Sequence, residues 1–164
     1  MEISKNMETA LNEQINAELY SAYLYLSMAA YVESKNFRGM AHWLKIQAKE
    51  ELEHAMKIYN YVFERGGEVK LKEIKQPPTN WSSFIELFKH IYEHEKHVTE
   101  LIYNLLRKAK EENDHATEVF LNWFVSEQVE EEDQARYIYE KLKLVGDNLN
   151  ALFLIDRELG MRKE

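Results

Sequence analysis

The amino-acid sequence predicts an all-α fold: a four-helix bundle with one long crossover between helices two and three, plus a short C-terminal fifth helix. Three observations carry that expectation. Helix breakers are scarce, with five Gly and two Pro among 164 residues. Apolar residues recur in steps of four and three along four long stretches, the spacing that lines a bundle core. The breakers also divide the chain unevenly, leaving very short connections on either side of one long one.

Ser4-Lys5-Asn6 opens the first helix, whose inner line is Leu11, Ile15, Glu18, Ala22, Tyr25, Ala29 and Val32, and which ends near Ser34–Asn36. The second runs from about Phe37 to Arg65 through Phe37, Ala41, Leu44, Ala48, Glu51, Ala55, Ile58 and Val62. Gly66-Gly67 stops it with the usual chemistry of a helix C-terminus. Residues 68–80 contain Pro77-Pro78 and no helical period, so they form the long connection. Ser83 followed by Glu86 is a capping-box signature for the third helix, lined by Phe84, Phe88, Ile91, Glu95, Val98, Ile102 and Leu105 and ending near Glu112. Asn113-Asp114 caps the fourth, lined by Thr117, Leu121, Phe124, Gln128, Glu131, Ala135, Ile138, Leu142 and Val145. Asp147 or Asn148 begins the short fifth helix, through about Leu159. The expectation is a single domain over 1–164, with the bundle at about 5–145 and the last helix at about 147–160. Tight connections make helices one and two, and three and four, antiparallel neighbours. The long one lets helix three lie parallel to helix two.

Bulk properties narrow the function. With 45% apolar and 30% charged residues the chain is globular rather than disordered. A net charge of −8 without any basic run argues against nucleic acid as a partner and suits metal cations. The longest uncharged run, Leu19 to Val32, is too short to span a bilayer, so no membrane partner is expected. The opening MEISKNMETA lacks the pattern of a signal peptide, and a cytoplasmic location is the expectation. The absence of Cys removes disulfides, thiol nucleophiles and Cys-ligated metals.

The informative positions are the polar ones inside the apolar lines. Glu18, Glu51, Glu95, Gln128 and Glu131 all fall near the middle of their helices. A single Glu on a helix is ordinarily a solvated charge. Carboxylates converging from four helices are costly to bury and repel one another, and no Lys or Arg stands in the four lines to neutralise them. Two divalent cations would cancel Glu18, Glu51, Glu95 and Glu131. Glu51 and His54, in an ExxH spacing, project from one helix face and can share an ion. Oxygen and imidazole ligands without sulfur suit iron, manganese or zinc.

An internal correspondence extends this. Glu95, Gln128 and Glu131 each follow Glu18, Glu51 and His54 by 77 residues, so the two helix pairs present equivalent positions. One metal position is furnished by Glu18, Glu51 and His54. The other has Glu95, Glu51 as a bridge, Glu131 and only the neutral amide of Gln128, which reads either as a ligand or as a structural polar residue. A weaker second position suits iron that moves on after oxidation.

Glu18-Leu19-Tyr20 with Tyr25, the run Glu50-Glu51-Leu52-Glu53-His54, His94-Glu95, and Trp123 through Glu131 closely resemble the bacterial non-haem ferritins, within the ferritin-like di-iron family. The resemblance implies a ferroxidase: an iron-storage subunit that oxidises Fe2+ to Fe3+ at an intrabundle di-iron centre with O2 or peroxide. Ferric oxyhydroxide would then collect in a hollow homo-oligomeric shell of 24 subunits. It implies one iron position at Glu18, Glu51 and His54, and a second at Glu51, Glu95, Gln128 and Glu131. A third iron position would use Glu50, Glu127, Glu130 and Glu131, with Tyr25 as an electron donor beside the centre. From the residues alone, Glu127 and Glu130 lie off the inner line and read as an exposed face, and Tyr25 as core filler.

The pattern departs from relatives in places. Leu52 stands where bacterioferritins carry their haem-ligating Met, so no haem is expected. Of the two acids that line the threefold iron channel in animal ferritins, Glu118 matches the first and Leu121 replaces the second. Two other functions compete: a di-iron oxidase acting on an organic substrate, and a non-catalytic assembly module or DNA-protecting mini-ferritin. The other side of helix one (Tyr20, Tyr23, Leu24, Met28, Tyr31) and the fifth helix (Leu149, Leu152, Phe153, Leu159) offer more apolar surface than a lone bundle covers, which points to association.

Overall fold

The computed structural model describes residues 1–164 and contains five helices and no strands. They are α1 (Lys5–Ser34), α2 (Arg38–Glu64), α3 (Phe84–Glu111), α4 (His115–Val145) and α5 (Leu149–Gly160). Four of the five starts are capped by a side chain that accepts from a backbone N–H three residues on. The pairs are Ser4 with Met7 (3.0 Å), Ser83 with Glu86 (3.1 Å), Asp114 with Thr117 (3.1 Å) and Asn148 with Ala151 (3.0 Å).

Three of the five helix ends share one device. Gly66 N–H donates to Phe63 O and Gly67 N–H to Val62 O, with Gly66 at φ +73°, the left-handed turn that closes α2. Asn36 (φ 69°) closes α1 and Asn113 (φ 57°) closes α3 in the same way. Asn is the side chain that best tolerates this conformation after Gly. Asn113-Asp114, which the sequence suggested as one cap for the fourth helix, is therefore divided. Asn113 ends α3 and Asp114 begins α4.

α1 packs chiefly on α2 and α3 on α4, while α5 folds back against α2. The segment between α2 and α3 runs along the outside of α1, held by polar side chains of that helix. Asn12 bonds Glu68 O (2.9 Å) and Lys70 N (2.7 Å), Asn16 bonds Glu73 O (3.1 Å), and Tyr31 donates to Trp81 O (2.8 Å). These contacts satisfy backbone groups of a segment with no secondary structure of its own.

Two corrections follow for the apolar surface assigned to association. Leu24 and Met28 are fully buried in the chain's own core, and Tyr31 is half-buried under the crossover, leaving Tyr23 and Leu26 exposed. α5 likewise finds its partner within the chain: Leu152, Ile155 and Leu159 are buried, and only Leu149, Phe153 and Leu154 face outward. The bundle stripe alone omits the surface that an α1 outer face and a returning helix cover.

The core is in two parts. One contains Leu24, Tyr25, Met28, Phe88, Ile91, Ala135 and Ile138 with the apolar side of α5. The other contains Leu11, Ile15, Ala55, Ile58, Val98, Ile102, Leu121 and Phe124. The predicted inner lines are buried throughout except Ala22, Phe84 and Val145, which are partly covered. On every long helix, the residues between the two parts are the polar ones.

Candidate metal centre

That polar layer is built from all four long helices. Glu18 on α1, Glu51 on α2 and Glu95 on α3 are each 1% exposed, and His54, Gln128 and Glu131 no more than 5%. The helical turn separating Glu51 from His54 brings His54 Nδ1 to 3.3 Å from Glu51 Oε2 and 3.9 Å from Glu18 Oε2. Three groups have ligand atoms within 4.8 Å of one another: Glu18, Glu51 and His54; Glu51, Glu95 and Glu131; and His54, Glu127 and Glu131. Glu51 belongs to the first two and Glu131 to the last two.

The electrostatics are those of a site short of positive charge. Burial first, then the neighbouring Glu95 and Glu18, pushes the Glu51 carboxyl well above its ordinary range. Burial and Glu95 do the same to Glu131, opposed by a hydrogen bond from the Gln47 amide. Glu95 is raised to about 7 by burial, restrained by hydrogen bonds from Tyr25 and Gln128. Tyr25, fully buried and donating to Glu95 Oε1, has its phenol raised well above the usual value by burial and that carboxylate.

Glu18 Oε2 and both oxygens of Glu51 are buried without any donor. Unpartnered buried acceptors are rare in proteins. The orphaned oxygens face one another and His54, so a cation is the partner their chemistry accepts. Oxygen ligands with one imidazole and no sulfur suit a divalent cation such as iron, manganese or zinc.

The remaining candidates are distributed unevenly. Gln128 sits in the layer, its amide nitrogen donating to Glu95 Oε2 and Thr99 Oγ1 (3.1 Å each) and Glu95 O (3.2 Å). Glu127 is partly buried, 3.9 Å from His54 Nε2. Glu130 is exposed, and Glu50 is paired with Arg162 at 3.0 Å. Of the four acids named for a third position, Glu127 and Glu131 thus come together with His54, while Glu50 and Glu130 stand outside that group. Leu121 is fully buried in the core and Glu118 pairs with His115 (2.8 Å).

Sequence reasoning missed the residues that hold these acids. Gln14 donates to Glu18 Oε1 (3.1 Å) and Gln47 to Glu131 Oε2. Gln14 and Gln47 each stand one helical turn before a buried Glu, and that spacing on an inward face was the available signal. His94, beside Glu95 in sequence, turns to Ser21 Oγ (2.7 Å), and burial lowers its imidazole to about 4.

Comparison with known proteins bears on the family and the fold. The ferritin-like domain family matches residues 8–145. A bacterial non-heme ferritin of Bacteroides fragilis is 46% identical over 160 residues, covering 98% of this chain and 99% of its own. One from Staphylococcus aureus is 42% identical over 160 residues, covering 98% and 96%. Among solved structures, an open-pore ferritin from the hyperthermophilic archaeon Archaeoglobus fulgidus superposes with a TM-score of 0.98 at 51% identity, over 99% of this chain and all of the other.

Proposed function

The chain belongs to the ferritin family, and on that premise we propose that it is an iron-storage subunit that oxidises Fe(II) in the polar layer of its bundle. The observation that carries the proposal is the set of buried, donorless oxygens on Glu18 and Glu51 beside His54. Glu18, Glu51 and His54 hold one Fe(II). Glu95, Glu131 and the shared Glu51 hold a second, with the amide of Gln128 beside it. Two Fe(II) give up one electron each, and O2 takes both with two protons to leave as H2O2; peroxide as acceptor is reduced to water.

The chain's own groups account for the rest. Four carboxylates neutralise two Fe(II); the extra charge of each Fe(III) would be met by hydroxide from water, whose protons are released, so the product moves on as a hydrolysed ferric species. The position with an amide in place of a fourth acid is the weaker one and releases first. His54, Glu127 and Glu131 offer a waypoint toward the half-exposed side of α4. Glu50 and Glu130 extend it as carriers of outgoing iron. Tyr25, hydrogen-bonded to Glu95, would supply the second electron where only one Fe(II) is oxidised.

Released iron collects as ferric oxyhydroxide within a hollow shell of this one domain, assembled as a homo-oligomer of 24 copies in the cytoplasm. No helix of the chain is long and apolar enough to cross a membrane. The test is to add Fe(II) in air to purified protein and measure particle size and iron retained per subunit. Storage is expected to leave a large particle holding far more iron than its centres bind. A small oligomer retaining two irons per chain would favour a di-iron oxidase instead.

A further inference from the structure

α5 crosses the start of α2 at a contact between two glycines. A Cβ on Gly39 would stand 1.8 Å from Asp156 O, and one on Gly160 would lie 3.1 Å from Gly39 Cα. Asp156 Oδ1 accepts from Met40 N–H (2.8 Å), and His42 Nε2 bonds Arg162 O (2.8 Å). The end of the chain is thereby laid over α2, with the Arg162 side chain 14% exposed. Its guanidinium lies 4.7 Å from the Trp43 ring centroid and donates to Trp43 O (3.1 Å), Gln47 Oε1 (2.9 Å) and Glu50 Oε2 (3.0 Å).

The chemistry of that contact orients an amide. A guanidinium only donates, so the Gln47 atom facing Arg162 is the carbonyl oxygen and the other end must be the NH2. That NH2 meets Glu131 Oε2. With the amide reversed, its oxygen would face a carboxylate and its NH2 a cation. We propose that Arg162 is a positioning residue for Glu131, acting through Gln47, and that by this relay the C-terminal segment sets how tightly the centre holds its second metal ion. The inference rests on the reading of the layer as a two-metal centre. One carboxylate oxygen is occupied by Gln47 and the other is left to the metal. The guanidinium's own charge works the other way, since a nearby cation repels a metal ion, so the sign of the change on removing it separates the two effects.

The experiment is an anaerobic Co(II) titration of the intact protein, followed by calorimetry and the visible bands of Co(II), which report coordination. The parent is expected to bind two equivalents per subunit. R162M should leave the first unchanged and weaken the second by roughly tenfold, the scale of losing a partner that orients a metal ligand. R162K, which keeps the charge but not the fork, should give a smaller loss. Q47L should reproduce the R162M effect, and adding R162M to Q47L should change affinity less than about twofold, because the relay is already cut. Melting temperature and particle size of each variant show that assembly is retained; should R162M fail to assemble, an R162K titration equal to that of the parent overturns the proposal. It is also overturned if R162M binds the second equivalent unchanged or more tightly, if both equivalents weaken together, or if the two substitutions multiply. A parent that binds no Co(II) in the layer removes the two-metal reading itself, and this inference with it.

Discussion

Glu51 is the residue at which stability and the proposed activity pull hardest against each other, and Glu51→Gln separates them. Its two oxygens have no donor, it is 1% exposed, and Glu95 and Glu18 both repel its charge. In metal-free protein the substitution replaces a buried group that is tolerated only when protonated by one whose NH2 faces Glu18 Oε2 at every pH. Satisfying a buried polar group is worth about 1–3 kcal/mol. For a chain of this length that corresponds to a rise in melting temperature of roughly 2–12 °C. The same change removes a ligand common to both metal positions. Loss of a residue that merely orients a ligand costs about 10–100-fold in affinity or activity, so Fe(II) oxidation is expected to slow by at least about a hundredfold. The assays are thermal melting in chelator at a matched scan rate and stopped-flow growth of ferric absorbance under air. A variant that melts lower than the parent and oxidises iron at the parental rate would refute both the orphaned-carboxylate argument and the site.

The metal-free protein should also be pH-sensitive in a defined sense. Glu95 is raised from 4.5 to about 7 in the folded state, so it stabilises fully below the unfolded value, and that contribution is lost as pH rises through 7. His94, lowered from 6.5 to about 4, acts oppositely below 6.5. Above 6.5 the carboxylates act alone, so melting temperature in chelator falls with pH, at up to about 1.4 kcal/mol per pH unit for each titrating group, whereas saturating Zn(II) should flatten the slope. Gly39→Ala forces a Cβ against Asp156 O; it should cost about 1–3 kcal/mol and expose the end of α4 and the C-terminal segment to limited proteolysis, read by mass spectrometry. Tyr25→Phe removes the hydroxyl that donates to Glu95. It should slow oxidation several-fold and abolish any tyrosyl signal in freeze-quenched EPR, and a signal of parental strength in the variant would clear Tyr25 of the donor role.

What could be read beforehand was whatever repeats with the helix. Glu18, Glu51, Glu95, Gln128 and Glu131 were visible because each interrupts an apolar line, and all five are buried in the layer between the two cores. The helix boundaries were legible from Ser4, Ser83, Asp114 and Gly66, whose side chains or φ angles end a ladder locally. Contacts between elements far apart in sequence carry no such period. Arg162 reaches Gln47 and Glu50 only because Gly39 and Gly160 let two helices touch, and neither glycine differs in sequence from a loop residue. Asn12 and Asn16 likewise read as surface polar residues until the crossover lies over them. Leu24, Met28 and Tyr31 on the outer side of α1 misled for the same reason: their cover was the chain's own core and crossover, while Tyr23 stays exposed.

The two-part core gives the polar layer a further consequence. Each apolar half is continuous, but the layer joining them holds carboxylates raised in pKa by burial and mutual repulsion. Folding without metal therefore carries an internal strain at the middle of every long helix, which only protons or cations relieve. Any cation that binds the folded layer and not the unfolded chain stabilises by RT ln(1 + [M]/Kd). The gain is concentrated where the bundle is weakest, so metal should protect the backbone amides around Glu51 and Glu131 from hydrogen exchange more than those around Leu105 or Leu142. Uniform protection along α2 and α4 would mean that the layer is no weaker than the cores it separates.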